Sequence, residues 1–81
     1  MIDVCKLLYE ICENENVYDL DFDLIESGVL DSLAFIELFS RLDDYGIELQ
    51  PTRIDRSLLR TPRTIMELIK NEGGDVVVEH K

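Results

Sequence analysis

Apolar side chains open the chain at helical spacing. Val4, Leu8 and Ile11 fall on one stripe, with Cys5, Leu7 and Cys12 beside it, which predicts a helix over residues 2–13. Asn14 and Asn16 interrupt that spacing, and a long connection runs from there to residue 31. Val17, Leu20, Phe22, Leu24, Ile25, Val29 and Leu30 are spread through it among acidic residues. So many apolar side chains predict a loop packed along the core, and long packed loops often carry function.

A second helix is predicted from Ser32 to Tyr45. Leu33, Ile36, Phe39 and Leu42 recur every three residues, Leu38 widens the stripe, and Gly46 stops it. Ile47 to Pro51 read as an extended connection, followed by a short helical turn near residues 53–59 that holds Ile54, Leu58 and Leu59 inward. The last helix has the plainest start signal. Thr61 suits an N-cap, and Pro62 suits the first helical position, where its missing N–H is harmless. Ile65, Leu68 and Ile69 form its buried stripe, which ends near Asn71. Gly73 and Gly74 then release the chain. Val76, Val77 and Val78 have strand character but no visible partner strand, so residues 72–81 are expected to form a flexible tail on a domain of residues 1–71. The predicted fold is all-α: a four-helix bundle with three main helices, a short third helix and a long first loop.

Composition narrows the function. The chain has 81 residues, 46% of them hydrophobic and 32% charged. That supports one core but leaves little room for a self-contained catalytic cleft. Its formal net charge is −10. Nucleic acid and anionic membrane surfaces are disfavoured as partners, and basic patches on other proteins are favoured. The plain alternative is that the charge serves solubility. Cys5 and Cys12, seven residues apart, are too distant on one helix for a disulfide. With no secretory leader or membrane-spanning run apparent, they are expected to be reduced thiols of a monomeric cytoplasmic protein. Asp19, Asp21 and Asp23 invite a calcium reading, but Leu24 and Leu30 stand where a calcium loop needs Gly and Glu, so no metal site is expected.

The stretch Glu26-Ser27-Gly28-Val29-Leu30-Asp31-Ser32-Leu33 lies where the long loop meets the second helix. A helix N-terminus offers unpaired N–H groups and partial positive charge, so a serine there is well placed to carry a phosphodiester. Asp31 is a candidate cap or a contact for a partner's metal. On these residues alone, Asp31 and Ser32 also read as a simple capping pair.

Gly28-x-Leu30-Asp31-Ser32-Leu33 resembles the attachment motif of acyl carrier proteins, whose small acidic bundles share this length, charge and layout. The resemblance spans about residues 1–71. It implies that Ser32, flanked by Asp31 and Leu33, receives 4′-phosphopantetheine from coenzyme A through a phosphopantetheinyl transferase. Further on, Tyr45-x-Ile47-x-Leu49, Thr52, Ile54, Asp55-Arg56 and Thr61-Pro62-x-x-Ile65 are similar to the D-alanyl carrier proteins of teichoic acid modification. Leu33-Ala34 departs from their usual Phe-Gly, and the second helix is one residue shorter before Tyr45. This narrower resemblance implies an adenylating ligase that loads an amino acid and a membrane acyltransferase system that receives it. A fatty-acid or polyketide carrier, an aminoacyl carrier of another pathway and an unmodified acidic adaptor are the alternatives.

Glu37, Asp43 and Asp44 are expected on or near the outer face of the second helix, either to meet basic partner residues or simply to be solvated. Arg41 breaks up that acidity and is a candidate for partner selectivity. Phe35, one turn past Ser32, reads as core or as a partner contact. No Cys-His, Ser-His or metal-ligand cluster is visible, so the chain is expected to be a substrate of other enzymes rather than an enzyme.

Overall fold

The computed structural model describes residues 2–50 and 53–76. Helix α1 covers Val4–Cys12, and the Asp3 carboxylate starts it by accepting from the Lys6 N–H at 3.1 Å. It ends at Glu13, which takes a left-handed backbone conformation (φ 53°) while its N–H donates to the Tyr9 carbonyl at 2.7 Å. A 3-10 turn over Glu15–Tyr18 follows, with Val17 fully buried. The sequence pattern had no signal for so short an element.

The rest of the loop is held as predicted, along the core. Leu24 and Leu30 are buried, and the loop is stitched to the second half of the chain by backbone bonds. The Leu24 N–H donates to the Arg60 carbonyl at 2.7 Å, and the Arg63 N–H donates to the Leu20 carbonyl at 3.2 Å. These bonds satisfy backbone groups that a packed loop would otherwise leave without partners.

Helix α2 covers Ser32–Asp44, and Gly46 (φ 83°) lets the chain turn away from its end. The predicted three-residue stripe needs correction. Ala34, Leu38 and Leu42 are buried, whereas Leu33 is 79% and Ile36 65% exposed. A spacing of three drifts around a helix of 3.6 residues per turn, while positions 34, 38 and 42 stay on one face. Phe35 and Phe39 flank that face, half-buried.

The expected third helix is a single 3-10 turn over Arg56–Leu59, capped by Asp55. Leu59 is fully buried and Ile54 half-buried, but Leu58, expected inward, is 42% exposed. Helix α3 covers Pro62–Asn71 and opens with reciprocal Thr61 and Thr64 capping bonds. Its Ile65, Met66 and Ile69 join the core, with Leu68 half-buried at its edge. The described residues thus form three α-helices and two 3-10 turns, with α1 packed against both α2 and α3. The fold is all-α.

The expectation of a free tail from residue 72 fails for residues 74–76. Val76 pairs with Ile2 in a parallel bridge, the Ile2 N–H donates to the Asp75 carbonyl at 2.8 Å, and both side chains are buried. Val76 does have a partner, but it stands at the opposite end of the chain, where no local pattern reveals it. Residues 77–81 of the predicted tail, Val77 and Val78 among them, lie outside the described residues.

Candidate functional site

Asp31 and Ser32 divide the work at the mouth of α2. The Asp31 carboxylate accepts from the Ala34 N–H at 2.9 Å, and the Asp31 carbonyl accepts from the Phe35 N–H at 2.9 Å. Capping therefore belongs to Asp31. Ser32 is exposed, and among the described residues its hydroxyl makes no hydrogen bond. The N–H groups of Ser32 and Leu33 likewise find no acceptor among the described residues, as expected in the first turn of a helix. The hydroxyl is thus open to an attacking or transferring enzyme, and two amide donors stand ready for negative charge. An esterified phosphate fits this position.

The loop brings the serine here by a series of local turns. The Asp23 carboxylate accepts from the N–H groups of Ile25 and Glu26 at 3.1 and 2.8 Å, and Gly28 takes φ 78°. A side chain at that φ is strained, so glycine suits the position. Leu30, buried beneath, anchors the last step before Asp31, with its N–H donating to the Leu24 carbonyl at 2.8 Å.

The other expected site residues separate into groups. Glu37 and Arg41 pair at 3.6 Å, and Arg41 also reaches Glu10 on α1 at 3.1 Å. Arg41 is therefore a tie between helices as well as a surface cation. Asp43 and Asp44 are exposed at the far end of α2. Phe35 packs edge-on against Phe39 with ring centroids 4.8 Å apart, and the Arg56 guanidinium sits over its ring at 5.6 Å. It belongs to the edge of the core. Leu33 faces solvent beside Ser32, and so does Ile36, which sequence reasoning placed inside. The four-residue recurrence of Ala34, Leu38 and Leu42 was the signal that would have turned Ile36 outward. Arg56 was noted in the sequence only as part of a motif, and nothing local revealed its contact with Phe35.

Neither thiol is prepared for chemistry. Burial, with Asp3 nearby, pushes the Cys5 thiol up to about 11, and burial together with Asp31 and Glu37 also raises that of Cys12. Both stay protonated near neutrality and are poor nucleophiles. Of the acidic loop triplet, Asp21 holds Arg63 at 3.0 Å and Asp23 holds Arg60 at 2.7 Å. No helix among the described residues is long and apolar enough to cross a membrane.

No family model matches the chain. Curated relatives do. The D-alanyl carrier protein of Abiotrophia defectiva is 41% identical over 69 residues, covering 83% of this chain and 87% of that protein. Those of Bacillus cereus and Bacillus anthracis are 36% identical over the same coverage. With identity of this order running along most of both chains, the chain belongs to the D-alanyl carrier protein family.

Proposed function

We propose that this chain carries 4′-phosphopantetheine on Ser32 and shuttles D-alanine between a ligase that loads it and an acyltransferase system that receives it. The observation that carries this reading is the Ser32 hydroxyl, exposed and without a partner at the start of α2 while Asp31 does the capping. The family relatives, named for D-alanyl carriage, support the choice of cargo. The attached arm supplies a terminal thiol that holds an aminoacyl group as a thioester.

The chain's own residues present, orient and dock. Ser32 offers its hydroxyl but has no base beside it, so the proton must pass to a group on the phosphopantetheinyl transferase. Asp31 fixes the helix start and leaves the Ser32 and Leu33 amides to face the phosphate. Leu33, Ile36, Glu37 and Asp44 lie on the exposed side of α2. They form a docking face with an apolar end beside the arm and an acidic remainder. Such a face suits partners that present an apolar patch ringed by Lys and Arg, with the net charge of −10 speeding encounter. The free thiols of Cys5 and Cys12 accord with work in the reducing cytoplasm.

The test is mass spectrometric. Incubation with coenzyme A and a broad-specificity transferase is expected to add one phosphopantetheine to the wild type and nothing to Ser32→Ala. Subsequent loading with D-alanine by a carrier ligase is expected to succeed. Folded protein that gains no mass would favour an unmodified adaptor. Gain of the arm with malonyl but not D-alanyl loading would move the chain to fatty-acid or polyketide carriage.

A further inference from the structure

We propose that the Arg56 guanidinium is the cation that holds the phosphate of the arm on Ser32, an inference that rests on Ser32 being the attachment site. The electrostatics call for such a group. The Asp31 carboxylate already occupies the end of α2 through its bond to Ala34, and a phosphodiester on the next residue adds a second anion within one turn. The chain around it is strongly acidic, with a net charge of −10. Two amide donors and a partial helix charge do not neutralise both anions.

Arg56 is placed to do so. Side chains three apart on a helix stand about 5–6 Å apart at Cβ, so Phe35 is the neighbour of Ser32. Long helical side chains as a rule lean toward the helix N-terminus, the direction in which Ser32 lies from Phe35. The Arg56 guanidinium lies over that ring, 5.6 Å from its centroid. Cation–π contact fixes the group while leaving its N–H donors unused. The nearby arginines are committed elsewhere: Arg41 to Glu10 and Glu37, Arg60 to Asp23 and Glu26, Arg63 to Asp21. Among the described residues, Arg56 has no carboxylate within ion-pair distance. It is exposed, and it lines an open groove of about 340 Å³ between the loop and the second 3-10 turn with Ile25, Ser57 and the Asp23, Glu26 and Arg60 already paired with one another. Arginine suits the task because its planar fork matches two phosphate oxygens.

The test compares the apo chain with the chain carrying the arm, made with coenzyme A and a transferase and verified by intact mass. In the wild type, the side-chain Nε–H resonance of Arg56 is expected to shift on attachment while that of Arg53, which lines a separate groove with Glu48 and Leu68, stays in place. In the modified Arg56→Gln protein, the ³¹P resonance of the phosphodiester is expected to move from its wild-type position, with Arg56→Lys restoring part of the difference. An Nε–H signal that does not respond to the arm, or a ³¹P resonance identical in wild type and Arg56→Gln, overturns the assignment. The first of these readings uses no variant and stands whether or not Arg56→Gln folds. A chain that gains no mass overturns the attachment reading and this inference together; a gain in mass with silent resonances overturns this one alone.

Discussion

The Arg60 Nε donates to Asp23 Oδ2 at 2.7 Å, joining the long loop to the segment that leads into α3. The backbone repeats the connection one residue on, with the Leu24 N–H donating to the Arg60 carbonyl at 2.7 Å. Asp23 also accepts from the N–H groups of Ile25 and Glu26. One carboxylate thus folds the loop that leads to Ser32 and fastens it to the segment before α3.

That double duty predicts a ranking. Arg60→Gln removes two solvent-accessible ion pairs, to Asp23 and Glu26, and such pairs contribute little. Asp23→Ala removes the ion pair to Arg60 and both turn-forming bonds, so it is expected to lower the urea midpoint further. Equal midpoints for the two variants would show that the turn bonds contribute nothing.

The same carboxylate sets an acid dependence. The Glu26 N–H, then the Arg60 side chain, hold the Asp23 carboxyl below the ordinary value of 3.8. Its folded-state pKa is depressed, so its contribution is present above the unfolded value and fades as pH falls through the folded one. The stability difference between wild type and Asp23→Asn is therefore expected to be constant from neutral pH down to about 5, and to shrink below about 4. Urea titrations at fixed pH steps measure this. A difference that grows on acidification contradicts the assignment.

Capping and attachment are separable at the mouth of α2. Asp31→Ala is expected to destabilise the fold by about 1 kcal/mol through loss of the N-cap. Ser32→Ala is expected to leave stability within about 0.5 kcal/mol, since an exposed hydroxyl without partners is removed. Mass gain from coenzyme A should show the reverse dependence: abolished in Ser32→Ala and retained in folded Asp31→Asn, which keeps a capping oxygen. Strong destabilisation by Ser32→Ala would make the serine a structural residue.

The corrected phase of α2 makes a sharper forecast. Leu38 is fully buried, and Leu38→Ala is expected to cost about 2–5 kcal/mol, a large part of the stability of so small a domain. Leu33→Ala and Ile36→Ala are expected to change stability by less than about 0.5 kcal/mol and to weaken ligase loading instead. Thermal unfolding beside loading kinetics separates the two effects. Ile36→Ala that unfolds like Leu38→Ala would restore the three-residue stripe.

These contrasts show which features the sequence made legible. Thr61-Pro62 announces α3 because capping and the missing proline N–H are local chemistry. Asp31-Ser32 was readable as the start of α2 for the same reason. The buried face of α2 was misjudged because Ala34 is small and easily discounted, while Leu33 and Ile36 are large and draw the eye. Their exposure fits the proposed docking face, where burial rules do not hold. The contacts of Arg56 with Phe35, Arg60 with Asp23 and Ile2 with Val76 are all non-local. No helical or strand period encodes them.

Gly74 is the position where that non-local closure is most exposed to test. A Cβ built there would stand 2.6 Å from Ile69 Cγ2 and 2.8 Å from Ile47 Cδ1. Ile69 is fully buried on α3, so its methyl has no room to retreat, whereas Ile47 Cδ1 is the free end of its side chain. The Gly74 N–H meanwhile donates to the Ile69 carbonyl at 2.9 Å, fixing the chain against the helix just before Val76 reaches Ile2. Gly74→Ala is therefore expected to destabilise by about 1–3 kcal/mol through overpacking. Adding Ile47→Val removes one of the two clashing atoms, so the double variant is expected to recover part of what its two single changes lose in sum. Urea denaturation of the four proteins in this cycle measures the coupling. Strict additivity, or an unchanged midpoint in Gly74→Ala, would mean that residues 74–76 do not rest on the core and that Val76 leaves Ile2 uncovered.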